Sequence, residues 1–314
     1  MKRREFIKAG LVGGALFSSS GLLTLSYPPR AEAAVIQIDM SVEQVTFDLV
    51  NGSTTTMWQF VDLAANPLGK LPVSYVVQEG DVLNINLTNN LSQPINLVVP
   101  GMLSQSAAVA PGATEAYRVT ARRAGSYYFT DSYTRGIGQA MGLYGPLIVM
   151  PQGSNDSLTS QGPRFDRQYT LVLSEIDTRL NEAIAAGLTY DMANYEPNYF
   201  FVNGFSYPQT KDDPSTFMEM VLGEEVAIRL INAGQIQYPM HFHGYHVNVI
   251  SRNRMKETRI IEKDTVPVNV RECVDVILPV AQTGTYPLHT HYLPGVTANG
   301  VYANGGLLVM NATA

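Results

Sequence analysis

The chain has 314 residues, 45% of them hydrophobic and 15% charged, with 26 Gly, 18 Pro and a net charge of −6. That length holds one large or two ordinary domains, each with a real core. A low charge fraction with abundant turn residues suits an all-β chain better than a helical one, and no Lys/Arg stripe lies beyond the N-terminus to engage a nucleic acid.

The N-terminus is read first. Lys2-Arg3-Arg4-Glu5-Phe6-Ile7-Lys8 resembles a twin-arginine export signal; an apolar stretch, Ala9 to Leu25, follows it and ends at an A-x-A cleavage site, Ala31-Glu32-Ala33. Gly and three consecutive Ser break the apolar stretch, so it suits a removed signal better than an anchor. The expectation is a signal peptide over residues 1–33, a mature chain from about Ala34, a periplasmic or otherwise exported location, and no stable membrane anchor after cleavage.

Short strands separated by turns come next. Val73 to Val77, Val82 to Leu87, Ile95 to Val99, Glu115 to Val119 and Ser126 to Thr130 are the clearest, and Gly145 to Met150 is an apolar closing strand. A first domain is therefore expected over residues 34–151. Residues 152–167, rich in Gly, Ser, Asn and Asp, read as a linker to a second domain over 168–314.

The second domain opens with a strand, Tyr169 to Ser174. One helix is predicted from Ile176 to Leu188, with Ile176, Leu180, Ala183 and Ile184 on one face. Strands are then expected at Phe200 to Asn203, Met218 to Val221, Glu225 to Ile231, His246 to Ser251, Val274 to Leu278 and Gly305 to Met310.

The two halves share a layout. An apolar strand follows Gly80-Asp81 in one and Gly223-Glu224 in the other; later come Gly125-Ser126-Tyr127-Tyr128 and Gly284-Thr285-Tyr286-Pro287, and then the closing strands. Such a repeat implies two copies of one Greek-key β-sandwich.

All five histidines lie in the second half, and four form two His-x-His pairs, His241-Phe242-His243 and His289-Thr290-His291. On a strand, i and i+2 side chains share a face, roughly 6–7 Å apart. Two such strands meeting offer four neutral imidazoles, a donor set suited to Cu or Zn. Facing inward without partners, they would cost about 1–3 kcal/mol each. His246 has the opposite parity to His241 and His243 and is expected to be structural or to support a ligand. The single Cys273 excludes an intrachain disulfide and reads as a small buried hydrophobe in an alternating strand.

Arg229-Leu230-Ile231-Asn232-Ala233-Gly234, Tyr238-Pro239-Met240-His241-Phe242-His243-Gly244 and Tyr286-Pro287-Leu288-His289-Thr290-His291 resemble the C-terminal domain of multicopper oxidases. Gly125 to Phe129 and Gly142 to Val149 resemble their N-terminal domain. The resemblance spans nearly the whole mature chain and implies two cupredoxin-like domains, as in the small two-domain laccases. Those assemble as trimers with trinuclear copper sites between one subunit's first domain and its neighbour's second.

Family motifs laid on this chain place the three blue-copper ligands at Tyr238, Thr290 and Gly295, none of which supplies the expected donor, and Thr290 offers no thiolate. The trinuclear positions of the second domain are kept as His241, His243, His289 and His291. Those of the first domain fall at Val98, Pro100 and Thr130-Asp131-Ser132, where no histidine stands.

Asp131 is a candidate oxygen ligand or support for an imidazole N–H, and Tyr238 and Tyr292 flank the pairs as candidate redox or packing residues. The expectation is an exported copper-binding protein holding one or two coppers, with zinc open, that handles copper or performs atypical copper redox chemistry. Two alternatives stay open: an oxidoreductase with a non-standard mono- or dinuclear copper site, and a metal-free scaffold. A homotrimer is implied, and the redox partner is not identified.

Overall fold

The structure is a computed structural model that describes residues 24–26, 32–62 and 72–314. Most of the export segment read at residues 1–33, including its arginines, lies outside the described residues. Thr24–Ser26 pairs in parallel with Ser74–Val76 at a sheet edge.

The first half packs two four-stranded sheets. One orders Thr54–Asp62, Val35–Asp48, Val82–Asn89 and Thr114–Thr120; the other orders Thr24–Ser26, Ser74–Gln78, Tyr144–Met150 and Gly125–Thr130. Period-2 burial drives this layering. Ile36, Ile38 and Met40 are buried, while Val35, Gln37 and Asp39 between them are exposed.

The second half has a six-stranded sheet in the order Tyr199–Val202, Arg167–Ile176, Glu225–Asn232, Cys273–Pro279, Val247–Arg252 and Met255–Lys263. Against it packs a five-stranded sheet ordered Phe217–Val221, Leu307–Thr313, Gly284–Thr290, Tyr238–Phe242 and Thr265–Val268. The repeat reappears as topology. Val35–Val42 runs parallel to Val82–Asn89 in one half, and Arg167–Leu173 runs parallel to Val226–Asn232 in the other. Each closing strand likewise pairs in parallel with an earlier one, Tyr75 opposite Leu147 and Phe217 opposite Val309. The molecule is all-β, with two cupredoxin-like sandwiches.

Three segments differ from expectation. Ile95 to Val99 makes only isolated bridges, to Val109, Thr130 and Leu103, because Pro94 and Pro100 bracket it and neither can donate to a ladder. The hairpin of Val35–Asp48 and Thr54–Asp62 was not expected, since its Thr, Gln and Glu residues dilute the apolar signal. The helix runs Thr178–Ala185, shorter than predicted: Ile176 ends a strand, and Asp177 caps the helix by accepting from Arg179 N–H.

Two further features lock the halves together. Leu180 is fully buried, and with Ile184 it packs onto the first half's core; Asn181 Nδ2 donates to the Thr56 carbonyl at 2.7 Å. Residues 152–167 are pinned too. Leu158 and Phe165 join a buried cluster in which Tyr128, Ile148 and Met150 meet Ala227, Ile231, Cys273 and Ile277. Glu225–Asn232 is consequently buried on both faces, whereas Val82–Asn89 alternates.

Candidate metal centre

Strand parity places the histidines. In Tyr238–Phe242 the core takes Tyr238, Met240 and Phe242, which leaves His241 and His243 on the other face. In the neighbouring strand the buried positions are Leu288 and Thr290, which leaves His289 and His291 outside. Antiparallel register sets His241 opposite His289. The inward-facing arrangement is thus corrected: the apolar residues between the histidines claim the core, and the imidazoles sit on the outer face, with His291 exposed and the others half-buried.

The four rings form one group. His241 has ring centroids 4.4 Å from His243, 4.5 Å from His291 and 6.0 Å from His289. His243 and His289 stand 5.1 Å apart, with their Nε2 atoms at 3.0 Å. His289 Nδ1 lies 3.0 Å from the Thr290 carbonyl, which can only accept, so Nδ1 carries the proton and Nε2 keeps its lone pair. In that state His243 Nε2 is the donor in the 3.0 Å contact. Burial, then the charges of His241, His289 and His291, push the His243 pKa below its ordinary value and favour the neutral form a metal ligand needs.

The donor set can be tested against a metal. Two nitrogens each about 2.0 Å from one ion stand ~2.8–3.3 Å apart at square-planar or tetrahedral angles. The His243–His289 separation of 3.0 Å falls in that range. Among the described residues no three ligating side chains converge on one point as they stand. Once the His243 proton moves from Nε2 to Nδ1, the surface fits a metal as one two-nitrogen bite with His241 and His291 adjacent.

Two supports for His241 had no signal in the sequence. Its Nδ1 is 2.9 Å from Thr265 Oγ1 and 3.9 Å from Asp264 Oδ2. Donation from Nδ1 to Thr265 would leave Nε2 free for a metal. Burial alone would raise the Asp264 carboxyl, but a hydrogen bond from Thr265 and the nearby His241 and His246 hold it below the usual range. His246 is exposed and immediately precedes the strand Val247–Arg252.

The other candidates lie elsewhere. Asp131 is buried, and its carboxylate accepts from Asn96 N–H at 2.9 Å, Tyr133 N–H at 3.2 Å, Thr134 N–H at 3.1 Å and the Thr134 hydroxyl. It organises its own loop and bonds no histidine of the same chain. Tyr238 points into the core and donates to Glu175 Oε2 at 2.5 Å. Tyr292 stacks edge-on against Phe200 at 5.9 Å, and its backbone N–H donates to Thr290 Oγ1. A Cβ on Gly295 would stand 2.5 Å from Thr290 Cγ2.

Glu175 escaped sequence reasoning, although a Ser-Glu pair ending an apolar run was a visible irregularity. Burial raises its pKa to about 7, against hydrogen bonds from Tyr238, Gln235 and Tyr195 that lower it. Burial also drives the Cys273 thiol well upward, so Cys273 is an inert core residue.

Family models of multicopper oxidases match residues 69–154 and 180–305. Among solved structures, the multicopper oxidase mgLAC is 25% identical with a TM-score of 0.73, the match covering 89% of this chain and 86% of that one. The blue copper oxidase from Nitrosomonas europaea is 22% identical with a TM-score of 0.76, over 89% of this chain and 86% of that one. The copper nitrite reductase from Nitrosomonas europaea is 21% identical with a TM-score of 0.68, over 89% and 94%. No curated protein matches the sequence. The chain belongs to the multicopper oxidase superfamily, a family of copper proteins.

Proposed function

We propose that this chain is an exported copper-binding protein that holds copper on His241, His243, His289 and His291 and serves copper handling or an atypical copper redox reaction. The observation that carries this reading is the His243–His289 Nε2 pair at 3.0 Å, flanked by two more imidazoles on one sheet face. Imidazole nitrogens in this number suit copper, and zinc competes for the same donors. A blue copper is not part of the proposal. Tyr238, Thr290 and Gly295 stand where its ligands would be, Tyr238 is bonded to Glu175, and no thiolate is near.

The outward-facing rings also bear on assembly. Among the described residues nothing buries these rings fully, so a facing wall would come from another copy, as in the trimers of the two-domain relatives. A homotrimer is part of the proposal.

The test is metal analysis of the exported protein and of protein loaded with Cu(II) and desalted. One or two coppers per chain are expected, lost in His243→Ala and His289→Ala, with no intense absorption near 600 nm. Protein that retains no metal is a scaffold, and the reading fails. Zinc alone in the exported protein also overturns it. Light scattering of the same samples reads the assembly, and a monomer sinks the trimer.

A further inference from the structure

We propose that the junction of the two domains carries a binding site for a small organic carboxylate, built from Arg135 of the first and Arg271 of the second around a cavity of about 370 Å³. Val98, Pro100, Thr130 and Ser132, at which the family motifs would place imidazoles, all line this cavity, with Asp131 between the last two. Here the walls hold no histidine, and two guanidiniums take part instead.

The charges are uncompensated. Among the described residues neither Arg135 nor Arg271 has a carboxylate partner; Arg271 Nε donates to Gln139 Oε1 at 3.1 Å. Both arginines line this one cavity, and Arg271 Nη2 reaches the backbone beside Arg135: a Cβ on Gly136 would stand 3.6 Å from it. Asp131 is the lining carboxylate, and its two oxygens already accept four hydrogen bonds from Asn96, Tyr133 and Thr134, which fills its capacity. Glu272, next in sequence to Arg271, is committed to Arg252 and Asn269.

Backbone conformation points the same way. Arg135 and Arg271 hold φ of 56° and 62°, a region that long side chains rarely occupy. Gly, Asn or Asp would suit such turns better. These positions carry guanidinium at a conformational cost, which is accounted for if the planar fork binds a carboxylate.

Size and wall chemistry narrow the ligand. The cavity falls at the lower end of small-molecule sites and is larger than an inorganic oxyanion needs. Val98, Pro100 and the Tyr128 ring offer apolar contact beside the polar rim. A carboxylate with a small hydrocarbon or aromatic body matches both.

The experiment is calorimetric titration of the full chain with benzoate, succinate, benzamide and inorganic phosphate. Benzoate and succinate should bind, with at least a tenfold loss in Arg135→Asn and in Arg271→Asn. Asn tolerates positive φ, so these variants remove charge without imposing a worse backbone. Ser104→Trp at the exposed mouth keeps both charges and should also block binding. Titration of the metal-free protein should give the same affinity, which separates this site from carboxylate held by a bound copper. Benzamide binding as tightly as benzoate, phosphate binding as tightly as either carboxylate, or full benzoate affinity in the arginine variants would each overturn the assignment.

Discussion

Arg229 and Asp275 form an ion pair sealed between the two sandwiches. The guanidinium is fully buried, with Nη1 3.5 Å from Asp275 Oδ1. Arg229 also donates to Gln168 Oε1 at 3.1 Å and Ser126 Oγ at 3.3 Å; Asp275 accepts from Ser251 Oγ at 2.8 Å and from the Ser126 hydroxyl. Ser126 belongs to the first half and the charged pair to the second, so one network ties the sheets across their interface.

Breaking that pair should be expensive. Asp275→Asn leaves a buried guanidinium without its counter-charge, and the expected loss is about 3–5 kcal/mol in urea unfolding. Combining it with Arg229→Met should cost less than the sum of the two single changes. Additive losses would show that the two residues do not act as a pair.

Glu175 predicts a pH dependence. Its carboxyl rises from 4.5 to about 7 on folding because burial outweighs its hydrogen bonds. The folded chain then binds more protons than the unfolded chain between those values. Stability is highest below about 4.5, falls as pH rises toward 7 and levels off above it. The drop is of order 3 kcal/mol, and Glu175→Gln should flatten it in denaturation curves from pH 5 to 8. A slope unchanged in the variant assigns the effect to another group.

Gly234 leaves room for that carboxylate, because a Cβ there would overlap both Glu175 oxygens. Gly234→Ala should therefore destabilise by about 1–3 kcal/mol through overpacking. A neutral thermal shift would contradict the close approach.

Thr265 should govern metal affinity without touching the metal. Thr265→Val removes the hydroxyl 2.9 Å from His241 Nδ1 and keeps the side-chain volume. Loss of such a support weakens binding about 10–100-fold, readable by chelator competition with folding intact. Equal affinity would leave His241 outside the site.

Leu180 should act as a staple. Fully buried against the first half's core, Leu180→Ala is expected to lose about 2–5 kcal/mol. With the buried Arg229 network it makes the halves one cooperative unit, so wild-type calorimetry should show one transition.

The all-β class, the duplicated sandwich and the helix near residue 180 were legible because they rest on local patterns: period-2 alternation, Gly-bounded turns and one amphipathic face. The four histidines were legible for the same reason, since i and i+2 share a face. What alternation cannot reveal is which face becomes the core. Met240, Phe242 and Leu288 decided that, and the imidazoles took the outside. Glu175, Thr265, Arg135 and Arg271 stayed hidden because their partners are distant in sequence, and only register and interdomain packing bring them together. The loop bonds that occupy Asp131 were hidden in the same way, because Asn96 lies far from it in sequence.

The strand that bears His289 lies between Tyr238–Phe242 and the C-terminal strand Leu307–Thr313. That last strand also pairs with Phe217–Val221, so it is the wedge that fixes the sheet's middle. Without Leu307–Thr313 the His289 strand would be paired on one side only, so the proposed centre leans on a segment more than a dozen positions beyond its own ligands.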